Sequence, residues 1–151
     1  LLHVLGGKIT TYRRLAESAV DRLAGALAIT APVAAATALL PGGDVGPDGF
    51  ETWLQQLHRR HDGFSSSTLT RLARRYGSRV DQLLGPARTE SDLGAELGGG
   101  LSEQEVRYLK TEEWARTAED VLWRRTKAGV HVPPDQRQRV ADAIQERLDA
   151  A

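Results

Sequence analysis

The chain has 151 residues, 20 lysines and arginines against 20 aspartates and glutamates, 5% aromatics, and neither cysteine nor methionine. That length suits one domain with its own core, while balanced charge and scarce aromatics argue against a nucleic-acid surface. Lack of cysteine excludes disulfides and thiolate metal sites. The longest apolar stretch, Ala31 to Leu40, carries Pro32 and is too short to span a bilayer. Opening on Leu1-Leu2-His3-Val4-Leu5 without methionine, the chain reads as the C-terminal piece of a larger, soluble protein.

Leu1 to Leu5 has the length and apolar character of a short buried strand whose partners lie elsewhere. A glycine pair, a cation and two hydroxyls follow in Gly6-Gly7-Lys8-Ile9-Thr10-Thr11. Glycines leave the backbone bare to a ligand, and a helix beginning directly afterwards turns its free N–H groups and positive dipole end towards an anion or cofactor. In the helix itself Tyr12, Leu15, Ala16, Ala19, Val20, Leu23 and Leu27 share one face, with Thr11 as the expected N-cap. Taken alone, this turn is also an ordinary strand-to-helix junction.

From Thr30 to Gly49 the chain is rich in alanine, proline and glycine and reads as a connector, with a turn at Pro41-Gly42-Gly43-Asp44. Short helices are expected beyond it. Asp48 with Glu51 forms a capping box ahead of Phe50, Leu54 and Leu57, with Gly63 as the stop. Ser65 or Ser66 opens a helix that buries Leu69, Leu72, Ala73 and Tyr76 and ends at Gly77. Ser78 with Asp81 starts a short one closed by Gly85-Pro86. Residues 86–100 read as loop. Ser102 with Glu105, and Thr117 with Asp120, are further capping boxes, and Pro133-Pro134 marks the last helix start. The fold class is mainly α, a helical bundle.

Two stretches of this sequence occur together: residues 6–13, ending Tyr12-Arg13 and followed by Leu40-Pro41-Gly42-Gly43, and residues 105–126. The second runs Glu105-Val106-Arg107-Tyr108 through Glu113-Trp114-Ala115-Arg116-Thr117 to Asp120-Val121-Leu122-Trp123-Arg124-Arg125-Thr126. In order and approximate spacing they resemble the C-terminal part of the FAD-dependent glycerol-3-phosphate dehydrogenases of the aerobic, respiratory kind. The stretch from Arg88 to Gly99 looks least like that family.

The resemblance implies that residues 1–29 are the last strand and helix of an FAD-binding domain, 30–49 a linker, and 50–151 a C-terminal α-helical cap domain. It implies FAD as cofactor, with Gly6, Gly7, Lys8, Ile9, Thr10 and Thr11 beside the flavin. Lys8 is implied as the catalytic cation, stabilising charge on the reduced ring or holding the substrate's phosphate. The implied reaction oxidises sn-glycerol 3-phosphate to dihydroxyacetone phosphate and passes electrons to quinone. The implied enzyme is cytoplasmic, peripheral on the inner face of the membrane, and partnered by the N-terminal domains of its own chain. This piece alone is then expected to be inactive and colourless. A glycerol-3-phosphate oxidase and a non-catalytic helical interaction module are the alternatives.

Other features have plainer readings. His58 and His61 are spaced to share a metal but lack a third ligand, so no metal is expected. Asp120, Arg124 and Arg125 read as a structural ion network. The basic run through Arg59, Arg60, Arg71, Arg74 and Arg75 is a solvated face, with weak attraction to anionic lipid as the sharper alternative. Trp53, Trp114 and Trp123 read as anchors of the core or of a domain interface.

Overall fold

The computed structural model describes residues 1–30 and 38–150, so the middle of the expected connector, residues 31–37, lies outside the described residues. The chain divides into two compact units, Leu1–Leu40 and Pro41–Ala151. It is mainly α: the described residues form six α-helices and one two-stranded hairpin.

The first unit holds α1 (Tyr12–Leu27), entered through a 3₁₀ turn at Ile9–Thr11. No strand forms over Leu1–Leu5 in the described residues, because no second segment lies beside it to complete a hydrogen-bonded ladder. Thr11 occupies the N-cap position but does not cap with its side chain; its hydroxyl turns back and donates to the Lys8 carbonyl at 3.0 Å. The tight preceding turn already directs the chain into the helix. The amphipathic face expected on α1 is present, yet Tyr12, Leu15, Val20 and Leu27 are all exposed.

The second unit contains the core. Helix α2 (Gly49–Arg60) packs against α3 (Ser66–Tyr76), and α4 (Val80–Leu84) lies between α3 and α5 (Glu103–Glu113), on which α6 (Arg137–Ala150) rests. Leu57, Leu83, Leu84, Leu101, Leu109 and Ile144 are fully buried at the centre, each worth about 1.5–3 kcal/mol of apolar transfer. Trp53 belongs to this core. Trp123 is half-buried beneath the Arg137 guanidinium, 5.5 Å from its ring centre.

Several helix boundaries follow their sequence signals and others do not. Ser65 caps α3 by accepting from the Thr68 amide at 3.2 Å, and Gly77 ends it with φ of 56°. Asp48 precedes α2 but makes no capping bond. Gly63 does not stop α2, which ends at Arg60; a Cβ there would lie 2.2 Å from the Arg88 carbonyl oxygen, so the glycine permits two backbone segments to touch. Ser78 likewise caps nothing with its side chain: Arg79 precedes α4, and the Ser78 amide donates to the Gly42 carbonyl at 3.0 Å. This bond docks the Pro41-Gly42-Gly43 turn on the end of α3. A Cβ at Gly77 would fall 1.9 Å from the Gly42 carbonyl oxygen and one at Gly42 2.5 Å from the Tyr76 carbonyl oxygen, which explains both glycines.

The stretch expected as loop at 86–100 contains structure. A 3₁₀ turn at Glu90–Leu93 is held by a reciprocal Thr89–Asp92 box, and β1 (Glu96–Gly98) pairs antiparallel with β2 (Leu101–Ser102). Three consecutive glycines hid the hairpin from a reading based on side-chain alternation. Their turn is closed by the Glu96 carboxylate, which accepts from the Gly98 and Gly100 amides at 3.1 and 2.9 Å.

The Thr117–Asp120 box is complete. Asp120 accepts from the amides of Arg116 and Thr117 at 3.0 Å each and from Arg124 at 2.8 Å, and its own amide donates to the Thr117 hydroxyl at 3.2 Å. It opens a π-helical turn, Asp120–Arg125, in which Thr126 donates its amide to the Val121 carbonyl. The Arg116 and Thr117 amides, with Arg124, hold the Asp120 carboxyl far below the usual carboxylate range. A depressed folded-state pKa contributes stability above the unfolded value and loses it as pH falls. The urea midpoint should therefore decline from about pH 5 downward, and Asp120→Asn should start lower and decline less steeply. Equal acid slopes for the two proteins would remove Asp120 from the acid response.

Candidate functional site

The Gly6–Thr11 turn is built as a bare, outward-facing loop. Gly6 and Gly7 adopt φ of 81° and 134°, conformations costly to residues with a Cβ, and nothing lies within 4 Å of where a Gly6 Cβ would be. Lys8 is extended and exposed, with no ion pair among the described residues. Ile9 is 87% exposed, an uncovered apolar side chain beside a cation. The Thr11 amide and hydroxyl both donate to the Lys8 carbonyl, at 2.9 and 3.0 Å, so the turn is closed on itself without using the Lys8 side chain or Thr10.

The donors and surfaces here are those a planar, anionic or redox cofactor would need: bare backbone at Gly6, the apolar Ile9, and the positive dipole end of a 16-residue helix beginning at Tyr12. The structure thus brings Gly6, Gly7, Lys8, Ile9, Thr10 and Thr11 together on one accessible turn. It gives them no pocket of their own; beside them, within the same unit, Leu2 to Leu5 and the Leu15–Arg22 face of α1 enclose a shallow cavity of about 210 Å³.

The second unit contains a polar cluster that the sequence reading missed. Glu105, 0% exposed, accepts from Arg71 at 2.9 and 3.2 Å, from Arg75 at 2.6 Å and from the Tyr76 hydroxyl at 2.7 Å. Its expected role in a capping box is only half right: Ser102 accepts from the Glu105 amide at 3.2 Å, but the carboxylate turns inward instead of back to the cap. Burial, with the adjacent Glu105 charge, pushes the Tyr76 phenol well up, so it stays protonated and donates. The overlooked signal was position: Glu105 precedes Tyr108 and Leu109 by three and four residues, which puts a carboxylate on the buried stripe, where it needs partners.

Next to this cluster, Tyr108 packs edge-on against Tyr76 at 5.3 Å, and its hydroxyl is buried without a hydrogen-bond partner among the described residues. Both rings border a cavity of about 330 Å³ together with Pro41, Glu113, Trp114 and Arg125. Trp114 ends α5 in the left-handed conformation, φ 58°, and is 75% exposed. Burial raises the Glu113 carboxyl, which Arg125 and Arg79 partly offset. Arg124, by contrast, pairs locally with Glu119 and Asp120.

The two histidines are not brought together on a ligand. His61 bonds Asp81 at 2.7 Å and His58 lies 3.3 Å from the Thr70 hydroxyl. No group of three potential metal ligands occurs among the described residues, and no helix among them is long and apolar enough to cross a membrane.

Comparison with known proteins bears on residues 33–150, which match the family model described as the C-terminal domain of alpha-glycerophosphate oxidase. A glycerol-3-phosphate dehydrogenase of Pseudomonas aeruginosa is 46% identical over 96% of the chain and 28% of its own length. The aerobic glycerol-3-phosphate dehydrogenase of Escherichia coli is 41% identical over 100% of the chain and 31% of its own. A D-erythritol 1-phosphate dehydrogenase of Brucella abortus is 38% identical over 91% and 27%. The chain therefore spans about three tenths of the length of these relatives. With most of the helical unit inside the matched region, the chain belongs to the family of the C-terminal domain of alpha-glycerophosphate oxidase.

Proposed function

We propose that the chain is the C-terminal part of a flavin-dependent glycerol-3-phosphate dehydrogenase, acting on sn-glycerol 3-phosphate and yielding dihydroxyacetone phosphate. The observation that carries this is a likeness running the whole length of the chain, turn included, to an enzyme named for that substrate. In this reading residues 1–29 close an FAD-binding domain, 30–49 link, and 50–151 form the helical cap.

When bound, FAD supplies the two-electron acceptor for the hydride leaving the carbinol carbon. The work of this chain is positional and electrostatic. Gly6 and Gly7 let the backbone lie against the ring. Ile9 excludes water on one side. Lys8 and the dipole of α1 set positive charge where negative charge accumulates, and a preoriented cation in a dry site stabilises it without reorganising. The base that accepts the hydroxyl proton belongs to the remainder of the longer protein, so the chain alone is inactive and colourless. Quinone is the electron acceptor, which sets the enzyme in the cytoplasm against the inner face of the membrane.

Anaerobic mixing of the longer protein with glycerol 3-phosphate tests the reading. Flavin absorbance should bleach and return on adding a soluble quinone. Rapid return with oxygen instead favours an oxidase, the second reading, motivated by the family description. Absence of bleaching with this substrate overturns both.

A further inference from the structure

We propose that the cleft on α3 lined by Arg71, Arg74 and Arg75 binds a phosphate group. The cleft is a wide, open depression of about 770 Å³ that also takes in Ser66, Ser67, Thr70 and Thr126. Two of its lining arginines, Arg71 and Arg75, are anchored on the buried Glu105. Arg71 and Arg75 each reach that carboxylate through Nη1 alone, so the other N–H groups of both guanidinium forks are uncommitted among the described residues. Arg74, one turn after Arg71 and next to Arg75 in the chain, is exposed and has no hydrogen bond or ion pair among the described residues.

Charge and order together distinguish this cleft from a solvated basic face. Three guanidinium groups against one carboxylate leave an excess of two positive charges. Glu90, which accepts from the Ser65 amide at 3.1 Å at the N-terminal end of α3, offsets one of them. An ordinary surface arginine must give up rotamer freedom to bind an anion. Here the buried carboxylate, itself steadied by Tyr76, has already fixed two of the three side chains. Planar forks and nearby hydroxyls match a tetrahedral phosphate, whose several oxygens accept from more than one fork at once. The open cleft admits the phosphate either of a small soluble ester or of an anionic lipid headgroup.

The 151-residue chain serves for the test, at constant ionic strength, with three probes: inorganic phosphate, glycerol 3-phosphate and vesicles containing phosphatidylglycerol. Thermal midpoint and calorimetric titration follow the soluble probes; co-sedimentation follows the vesicles. Arg74→Ala should weaken binding roughly tenfold, the loss of one charge-assisted contact, whereas Arg139→Ala, on α6, should not. Circular dichroism confirms that both variants fold, as the exposure of both side chains leads one to expect. A saturable response to the soluble probes identifies a free phosphate ester; a response to vesicles alone identifies a lipid headgroup. The proposal is overturned if no probe binds saturably, if chloride reproduces the effect, or if Arg74→Ala binds as the unaltered chain does. None of these outcomes depends on the flavin assay.

Discussion

Replacing Glu105 by alanine should lower the unfolding free energy by about 3–5 kcal/mol, the usual cost of breaking a buried ion pair from one side. The carboxylate is wholly buried and accepts from three side chains. Removing it leaves the Arg75 and Arg71 guanidinium groups facing each other across a cavity, and a Tyr76 hydroxyl with no acceptor in an apolar surround. Both arginines are partly exposed, Arg71 28% and Arg75 16% by side chain, so water re-solvates them in part and the lower half of the range is expected. Glu105→Gln keeps the shape and one acceptor oxygen but removes the charge, and should fall between. Urea denaturation of the chain at neutral pH reads the difference directly. A loss below about 1 kcal/mol, the scale of an exposed pair, would mean that the arginines find equivalent partners in solvent and that Glu105 does not organise the α3–α5 contact. A large loss would also free the Arg71 and Arg75 side chains that Glu105 holds, so phosphate binding by the alanine variant should fall with its stability.

The parts of this fold that were legible in the sequence are those where a local signal and the tertiary structure agree. Helix α3 is bounded by Ser65 and Gly77, and its inward residues recur with helical period, so sequence and structure coincide. Thr117 and Asp120 form the reciprocal box that their spacing announces. The misreadings arose where a residue type has two uses. Gly63, read as a helix stop, is there for close backbone approach, a property of the partner segment and not of the local chain. Glu105 stands at the third position of a capping box and on a buried stripe at once, and burial with two arginines outweighs a single bond to a cap. The Gly98–Gly100 hairpin has no side chains to alternate; its closure depends on Glu96. The bend at Gly6 and Gly7 was legible as a turn, its positive φ values being those that glycine permits. Tyr108, whose buried hydroxyl has no hydrogen-bond partner among the described residues, was not, because an orphaned group leaves no mark on a sequence pattern.

On the proposed flavin-binding role, Lys8→Ala in the longer protein should reduce turnover by roughly 10²–10³-fold, the scale found when one preoriented group facing developing charge is removed. The argument rests on how little Lys8 does for folding. Its side chain is exposed and makes no ion pair among the described residues, and its turn is closed by the Lys8 carbonyl, which any residue supplies. The alanine variant should therefore fold and unfold as the parent does, so a kinetic loss cannot be attributed to lost structure. Two measurements separate the roles open to the cation. If Lys8 stabilises charge on the reduced ring, the flavin reduction potential should become more negative, with each tenfold of lost stabilisation worth about 30 mV in a two-electron couple. If it holds the substrate's phosphate, the potential should be unmoved while KM rises, and Lys8→Arg should restore much of the affinity because a guanidinium pairs well with phosphate. An alanine variant with unaltered kinetics and unaltered potential would take Lys8 out of the site. Gly6 and Gly7 would then be read as the glycines of a plain turn, needed for their positive φ and not for what lies against them.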